Sequence, residues 1–328
     1  MGKKQRAEEV AVGSGLVLVD KPAGWTSHDV VGRVRRLAGT RKVGHAGTLD
    51  PMATGVLVVG INRATRLLTH IVGVSKTYTA TIRLGSSTTT DDAEGDVVRT
   101  RFANAVTRER LDVEIAQLTG QIQQVPATVS AIKVQGQRAY DRARRGEEVE
   151  LAARPVTVHR FDVLRVHRHE GGKVIDVEVE VEVSSGTYVR ALARDLGEAL
   201  EVGGHLTALR RVAVGPYRIE NALTLDQLAE DFGYVGLAEA AAGLFSRREL
   251  TDSEVENLRH GRRITASSTA TAGDPDRLIA AFAPDGELIA LLKDVPARTS
   301  ASASEEAARA AAGDAFHQAK PELVFHPA

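Results

Sequence analysis

From Ile175 to Val183 the chain alternates without a break. Ile175, Val177, Val179, Val181 and Val183 stand on one side, and Asp176, Glu178, Glu180 and Glu182 on the other. Successive side chains of a strand point to opposite faces, so this run buries one face and keeps the other polar. A parallel sheet, covered on both faces, reads instead as one continuous apolar run; strict alternation implies an antiparallel sheet with one wet face. Lys76–Leu84 repeats the pattern, with Tyr78, Ala80, Ile82 and Leu84 set against Thr77, Thr79, Thr81 and Arg83. Val156–Val166 reads as a further strand, and Gly15–Asp20 as a short buried one. Helical spacing appears at Val30, Val31, Val34 and Leu37, capped by Thr26 or Ser27 and closed near Gly39. Thr107–Leu118 reads as a second helix ended by Gly120. After the turn Ser184-Ser185-Gly186 comes Thr187–Leu192, with Tyr188-Val189 strand-like, followed by a helix through Leu200. Gly55–Gly60 is a buried strand or a helix start, and its period does not separate the two. The fold class is therefore α+β with a mixed, largely antiparallel sheet, and not a doubly wound one.

A chain of 328 residues with 43% hydrophobic content has room for two domains. Residues 1–12 read as a flexible N-terminal tail and 13–246 as the larger domain. Near Arg247 the pattern changes. Thr251-Asp252-Ser253-Glu254 is a capping box that opens a helix ending at Gly261. Strand candidates follow at Leu278–Phe282, Glu287–Leu292 and Glu322–Phe325. This makes 247–328 a small β-rich domain, with a flexible Ala/Ser-rich insertion near 301–315. The polar start, Met1–Glu9, lacks the apolar core of a signal peptide, and no apolar run is long enough for a membrane span, so a cytoplasmic location is expected. The chain has no cysteine. That excludes disulfides, thiolate zinc sites and the cysteine attack used by RNA pyrimidine C5-methyltransferases.

The net charge of −1 carries no signal of its own, but the charges are sorted. Arg33, Arg35, Arg36, Arg41 and Lys42 lie in a stretch without an acid. Lys133, Arg138, Arg142, Arg144 and Arg145 meet only Asp141, and Arg210, Arg211 and Arg218 meet none. The acids Asp91, Asp92, Glu94 and Asp96 collect elsewhere. One basic stripe alone is a solvated face; three beside special loops fit a surface that tracks phosphates.

Between the first stripe and Val56 lies Gly44-His45-Ala46-Gly47-Thr48-Leu49-Asp50-Pro51-Met52-Ala53-Thr54-Gly55. Three glycines and a proline forbid a regular element. The result is a tight loop presenting one carboxylate, Asp50, next to cationic surface: a candidate nucleophile or base aimed at an anionic substrate. Taken alone, such a loop is most often only a turn. It stands, however, in an ordered series: Lys21-Pro22-Ala23-Gly24-Trp25-Thr26-Ser27, the loop itself, Lys76-Thr77-Tyr78, Val125-Pro126-Ala127-Thr128-Val129-Ser130-Ala131-Ile132-Lys133, Gly186-Thr187-Tyr188-Val189-Arg190 and Leu209-Arg210-Arg211.

This series resembles the TruB family of tRNA pseudouridine-55 synthases over roughly Gly15 to Tyr217. The region after Arg247 is similar to that family's PUA-like RNA-binding extension. The resemblance implies a pseudouridine-synthase fold and the isomerisation of a T-loop uridine in tRNA, without cofactor or metal. No P-loop, dinucleotide fingerprint or Cys/His cluster contradicts it. It implies a catalytic Asp50, which could attack C1′ of the ribose, attack C6 of the uracil, or remove a proton. Arg190 would pair with that carboxylate and keep it ionised though buried. Tyr78 would stack on the uracil, Tyr188 and Leu209 would line its pocket, and His45 would fill the gap left by the flipped nucleotide. Lys21 and Pro22 would support the loop from behind. The expected partner is the T-arm stem-loop, with no obligate protein partner and a monomeric enzyme. Other readings are a pseudouridine synthase for another RNA, a non-catalytic tRNA-folding module, and a glycosidase, which needs two carboxylates about the scissile bond.

Overall fold

The computed structural model describes residues 12–127, 133–134, 137–138, 151–266, 277–295 and 318–325. Arg142, Arg144, Arg145, the Ala/Ser-rich stretch at 301–315 and all but the last residue of the expected tail lie outside the described residues. Among those described, no helix is long and apolar enough to cross a membrane. The chain forms two compact units. One holds Val17–Val59 and Leu68–Gly233; the other takes in residues 12–16, Gly60–Leu67 and the chain from Tyr234.

In chain order, the main elements of the first unit are β1 (Gly15–Lys21), α1 (Ser27–Leu37), β2 (Val43–Ala46), β3 (Thr54–Ile61), β4 (Lys76–Leu84), α2 (Arg108–Gln117), β5 (Gly120–Gln124), β6 (Arg154–His169), β7 (Val174–Val183), α3 (Val189–Ala199) and β8 (Gly204–Val214). The sheet runs β1-β3-β8-β4-β7-β6-β5, with β2 paired to β3. The alternating run is its centre. β7 is antiparallel to β4 along its length, from Ile175 opposite Leu84 to Val183 opposite Lys76. The α+β reading with a mixed, largely antiparallel sheet holds. The polar face of β7 is not simply wet. Asp176 pairs at 2.7 Å with Arg83, its direct cross-strand neighbour, and Glu180 at 2.6 Å with Arg160. Pairs this exposed contribute only about 0–1 kcal/mol each, so they favour the register more than they add stability.

One element begins earlier than the sequence suggests, and another, β8, has no counterpart in the sequence reading. The helix expected after Leu192 begins earlier: Tyr188 is extended, and α3 starts at Val189, so only the first residue of the strand-like Tyr188-Val189 is extended. β-branched and aromatic residues read locally as strand, but Val189, Leu192, Ala193 and Leu196 bury one helical face, and that period prevails. β8 has no clean alternation because its register against β4 slips twice, between Leu206 and Ala208 and between Arg211 and Ala213. Each bulge shifts the period by one residue.

The ambiguous run Gly55–Gly60 is strand, in β3, buried from Gly55 to Ile61. β3 lies parallel to β8, with Gly55 opposite Arg211. Gly55 has φ +100°, and a Cβ there would sit 2.2 Å from the Arg211 carbonyl oxygen. Gly55→Ala combines a strained backbone with a backbone clash and should cost about 2–5 kcal/mol. Gly24→Ala is the control, since Gly24 has φ +78° but nothing within 4 Å of its missing Cβ. Thermal melts should separate the two variants clearly; equal losses would mean that the close approach at β8 imposes nothing.

The second unit contains β9 (Ser246–Glu249), α4 (Asp252–Arg259), β10 (Ile264–Thr265), β11 (Leu278–Phe282), β12 (Leu288–Val295) and β13 (Gln318–Val324), in the sheet order β9-β11-β12-β13-β10. The capping box is formed: Thr251 accepts from the Glu254 backbone and the Glu254 carboxylate accepts from the Thr251 backbone at 3.0 Å. Val255 and Leu258 of α4 pack with Leu250, Ile264, Ile289 and Leu292.

Candidate active site

A loop with this many glycines leaves carbonyls that no strand ladder satisfies, and buried carbonyls require donors. Two buried cations provide most of them. Lys21 is fully buried, and its Nζ donates to the carbonyls of Pro22 (2.9 Å), Trp25 (2.6 Å) and Pro51 (3.2 Å). Arg211, 1% exposed, donates from Nε to Val56 (2.8 Å), from Nη2 to Gly47 (3.1 Å) and from Nη1 to Thr48 (3.4 Å). Ser27 at the start of α1 completes the frame: its Oγ accepts from the Leu49 N–H at 2.9 Å. The Gly24 N–H donates to the Pro51 carbonyl at 2.8 Å. Arg211 therefore does not belong to a phosphate-tracking stripe, and its neighbour Arg210 is held by Asp20 at 2.8 Å. The first stripe remains solvent-facing, with Arg35, Arg36, Arg41 and Lys42 exposed.

Asp50 is the side chain this frame presents. Its Oδ2 lies 2.9 Å from Arg190 Nε, and it is the arginine that is buried: 4% exposed, against 35% for the aspartate. The expectation of a buried carboxylate is corrected accordingly. Arg190 faces a second acid, Asp92, whose Oδ2 is 3.5 Å from Nη1 and which is itself only 4% exposed. Nη1 also donates to the Thr90 carbonyl at 2.9 Å. The guanidinium thus joins one cleft-facing carboxylate to one interior carboxylate.

The cleft beside Asp50 has a volume of about 290 Å³. Tyr78, Tyr188, Arg190 and Leu209 line it together with Asp50, as do Lys76 and Val72. Tyr78 and Leu209 are buried on the neighbouring strands β4 and β8, where Tyr78 lies opposite Arg211 and Leu209 opposite Ala80. The volume is at the small end of ligand pockets, roughly 300–1,000 Å³, and suits a single base. His45, Lys21 and Pro22 do not line the cleft. Lys21 lies under the loop through its bond to Pro51. His45 sits on β2, so Gly44-His45-Ala46 is strand, against the expectation that the glycines and proline of the stretch forbid a regular element, and only the middle of the stretch is loop. The His45 ring lies 5.7 Å from that of His28, nearly perpendicular, and burial together with His28 lowers its pKa.

The TruB family pseudouridylate synthase N-terminal domain matches residues 35–189, and two C-terminal domains of tRNA pseudouridine synthases match residues 190–239 and 245–303. The tRNA pseudouridine synthase B of Arthrobacter sp. (strain FB24) is 61% identical over 317 residues, covering 96% of this chain and 97% of that one. The chain belongs to the TruB family. A Mycobacterium sp. (strain KMS) relative of the same name is 58% identical over 289 residues, with 88% of this chain and 95% of the relative covered. Among solved structures, one described as a Cbf5-Nop10-Gar1 complex superposes with a TM-score of 0.70 and 27% identity over 98% of this chain and 88% of that one.

In this TruB-family chain the site includes residues that the sequence reading did not assign. Asp92 was grouped with acids remote from the basic stripes, yet it holds Arg190. Asp91 before it has φ +60°, uncommon for a residue with a side chain, and burial pushes its carboxyl up to about 6 against the pull of Arg194 and Arg190. Gln124, 1% exposed, clamps the backbone of Tyr188. It accepts from the Tyr188 N–H at 2.8 Å and donates to the Tyr188 carbonyl at 3.1 Å. Arg154 lies 5.2 Å over the Tyr188 ring. Of these, only a glutamine just before the Val125-Pro126 motif offered any sequence signal.

Lys76 is the other unassigned group. Its Nζ donates to the carbonyls of Val72 (2.9 Å) and Val74 (2.8 Å), and burial, aided by Arg211, pushes its pKa down to about 8. An unfolded lysine keeps its proton to about 10.4. Between these values the unfolded chain binds more protons than the folded one, so this group's contribution to stability rises with pH through that window. Lys76→Met removes it. The change in Tm from pH 8 to pH 10 should be less favourable in the variant than in the parent, and matching changes would show that Lys76 is not held charged at a cost.

Proposed function

We propose that this chain converts the uridine at position 55, in the T-loop of tRNA, to pseudouridine, with Asp50 as the group that acts on the nucleotide. The observation that carries this reading is the arrangement at the cleft. A rigid loop presents one carboxylate, a buried guanidinium fixes its direction, and an aromatic ring stands in the same base-sized space. The reaction balances within the substrate: N1–C1′ breaks, C5–C1′ forms, and the proton on C5 leaves as N1 gains one. A base inside a folded loop has to leave its stack to reach such a site. The uracil would lie against Tyr78 and Leu209 with Tyr188 at its side, and His45 would take the space the base vacates. Asp50 could attack C1′, attack C6 or accept a proton; each demands the same placement of the carboxylate, which Arg190 secures. Asp92 does not make a glycosidase pair with Asp50, since it lies behind the guanidinium and away from solvent.

The partner is the tRNA T-arm, met by a single monomeric chain in the cytoplasm, where tRNA serves translation. Residues 13–246 would hold the chemistry, and 247–328, as a PUA-like module, would add affinity. The near full-length likeness to synthases named for tRNA favours this over another RNA target. The test is to incubate unmodified tRNA transcript with the protein and map pseudouridine by reverse transcription after carbodiimide treatment. One new stop next to the T-loop uridine is expected. Stops elsewhere would move the target to another site, and none would reduce the chain to a binding or folding module.

A further inference from the structure

The first loop and α1 carry an exposed feature that the cleft does not use. Trp25, the chain's only tryptophan, is 37% exposed. Tryptophan is enriched at interfaces, where its ring supplies apolar area and its N–H a polar edge. Its backbone is not loose: the Lys21 ammonium that holds the Pro51 carbonyl at 3.2 Å holds the Trp25 carbonyl at 2.6 Å. The Trp25 main chain is thereby held to the loop of Asp50. Beside it lies a shallow groove of about 380 Å³ lined by Gly24, Trp25, His28, Asp29, Gly32 and Arg36. His28, Gly32 and Arg36 follow at i, i+4 and i+8, so they form one stripe along α1. Gly32 is the unusual member. Glycine in a helix interior is less stable than alanine. A Cβ at Gly32 would meet nothing within 4 Å, so internal packing does not require glycine there. What its absent side chain achieves is a flat floor between Trp25 and Arg36.

We propose that this groove holds an unpaired nucleotide neighbouring the one that enters the Asp50 cleft, its base stacked on the Trp25 indole and lying over Gly32. The inference rests on the RNA reading above and extends its binding surface. The charges fit a base better than a phosphate. The Asp29 carboxylate accepts from the Thr26 N–H (3.0 Å) and hydroxyl (2.6 Å), and Arg36 stands at the far end, so the groove has no net charge. Further along the chain, Arg41 and Lys42 are exposed cations that a nucleic-acid backbone could meet. The groove also adjoins the loop, because the His28 ring meets the His45 ring at 5.7 Å. Extrusion of one base breaks the stacking of its neighbours, and an exposed indole can replace it for any base.

With one tryptophan in the chain, its fluorescence reports this groove alone. A T-arm stem-loop RNA added to full-length protein carrying Asp50→Asn should quench the emission. In the otherwise native enzyme, Trp25→Leu and Gly32→Gln should each raise KM for the stem-loop roughly 5- to 150-fold, the range for losing one base–aromatic stack, with kcat at saturating RNA within about twofold. Trp25→Phe should recover most of the loss. Gly32→Gln keeps the tryptophan and fills the groove, and its circular dichroism should match the parent. Unchanged emission, or an unchanged KM in both variants, overturns the proposal. A fall in kcat at constant KM overturns it too, since the residues would then only brace the loop. If the parent enzyme makes no pseudouridine, the functional reading has failed; if it does and the variants match it, only this inference has.

Discussion

Asp50→Asn is expected to abolish pseudouridine formation while leaving RNA affinity nearly intact. The substitution keeps the shape of the side chain and removes its charge, and every route open to Asp50 needs that charge. The loss should be on the order of 10⁴-fold or more, as when a group at the reacting atoms is removed. Affinity has another source. Contacts to phosphates and stacked bases carry most of the binding to an RNA loop, and a carboxylate one-third exposed in the cleft adds repulsion to phosphates if it adds anything. Filter binding should return a Kd within about threefold of the parent, and the modification assay should show no product over many enzyme equivalents. Multiple turnover by the asparagine variant would remove Asp50 from the chemistry and leave Arg190 holding a structural acid.

The contrast between what the sequence displays and what it hides follows from the range of each interaction. β4 is legible to the residue and β7 to within one, because a half-buried antiparallel strand writes its register into alternate positions. The helix caps at Thr26 and Thr251 are legible because the cap bonds span three residues. β3 is not, since a strand buried on both faces has no period to show. β8 is hidden by its two bulges. At the site, Asp50 stands out through the glycines around it, but no spacing shows that Arg190 or Asp92 will meet it; only the family resemblance tied Arg190 to Asp50, and nothing tied Asp92. The burial of Lys21 and Arg211 runs against the general rule that cations stay outside. It becomes intelligible from the loop. Carbonyls at Gly47, Thr48, Pro51 and Val56 need interior donors, and long side chains reaching in from β1 and β8 are the ones in place. Counting charge along the chain assigns Arg211 to a surface stripe; asking where the loop's backbone bonds go assigns it to the frame.

Arg190→Ala tests the other half of that frame and should harm both activity and stability, for separable reasons. Without the guanidinium, Asp50 loses the contact at 2.9 Å that directs it into the cleft, and activity should fall on the order of 10³-fold or more. Asp92 meanwhile remains in the interior, 4% exposed, without the charge 3.5 Å away, and the Thr90 carbonyl loses a donor. Breaking a buried pair by removing one partner costs about 3–5 kcal/mol, because the other charge stays buried. The two effects part in a double variant. Adding Asp92→Asn to Arg190→Ala removes the stranded charge, so part of the stability should return, whereas activity should not, since Asp50 is still undirected. Asp92→Asn alone, with Arg190 in place, should keep measurable activity and lose some stability. A thermodynamic cycle over the four proteins then gives the coupling between Arg190 and Asp92 directly. If the losses simply add, Asp92 is not the partner that holds the guanidinium. If the double variant recovers turnover, the direction of Asp50 depends on something other than Arg190, and the link between the interior acid and the cleft carboxylate has to be given up.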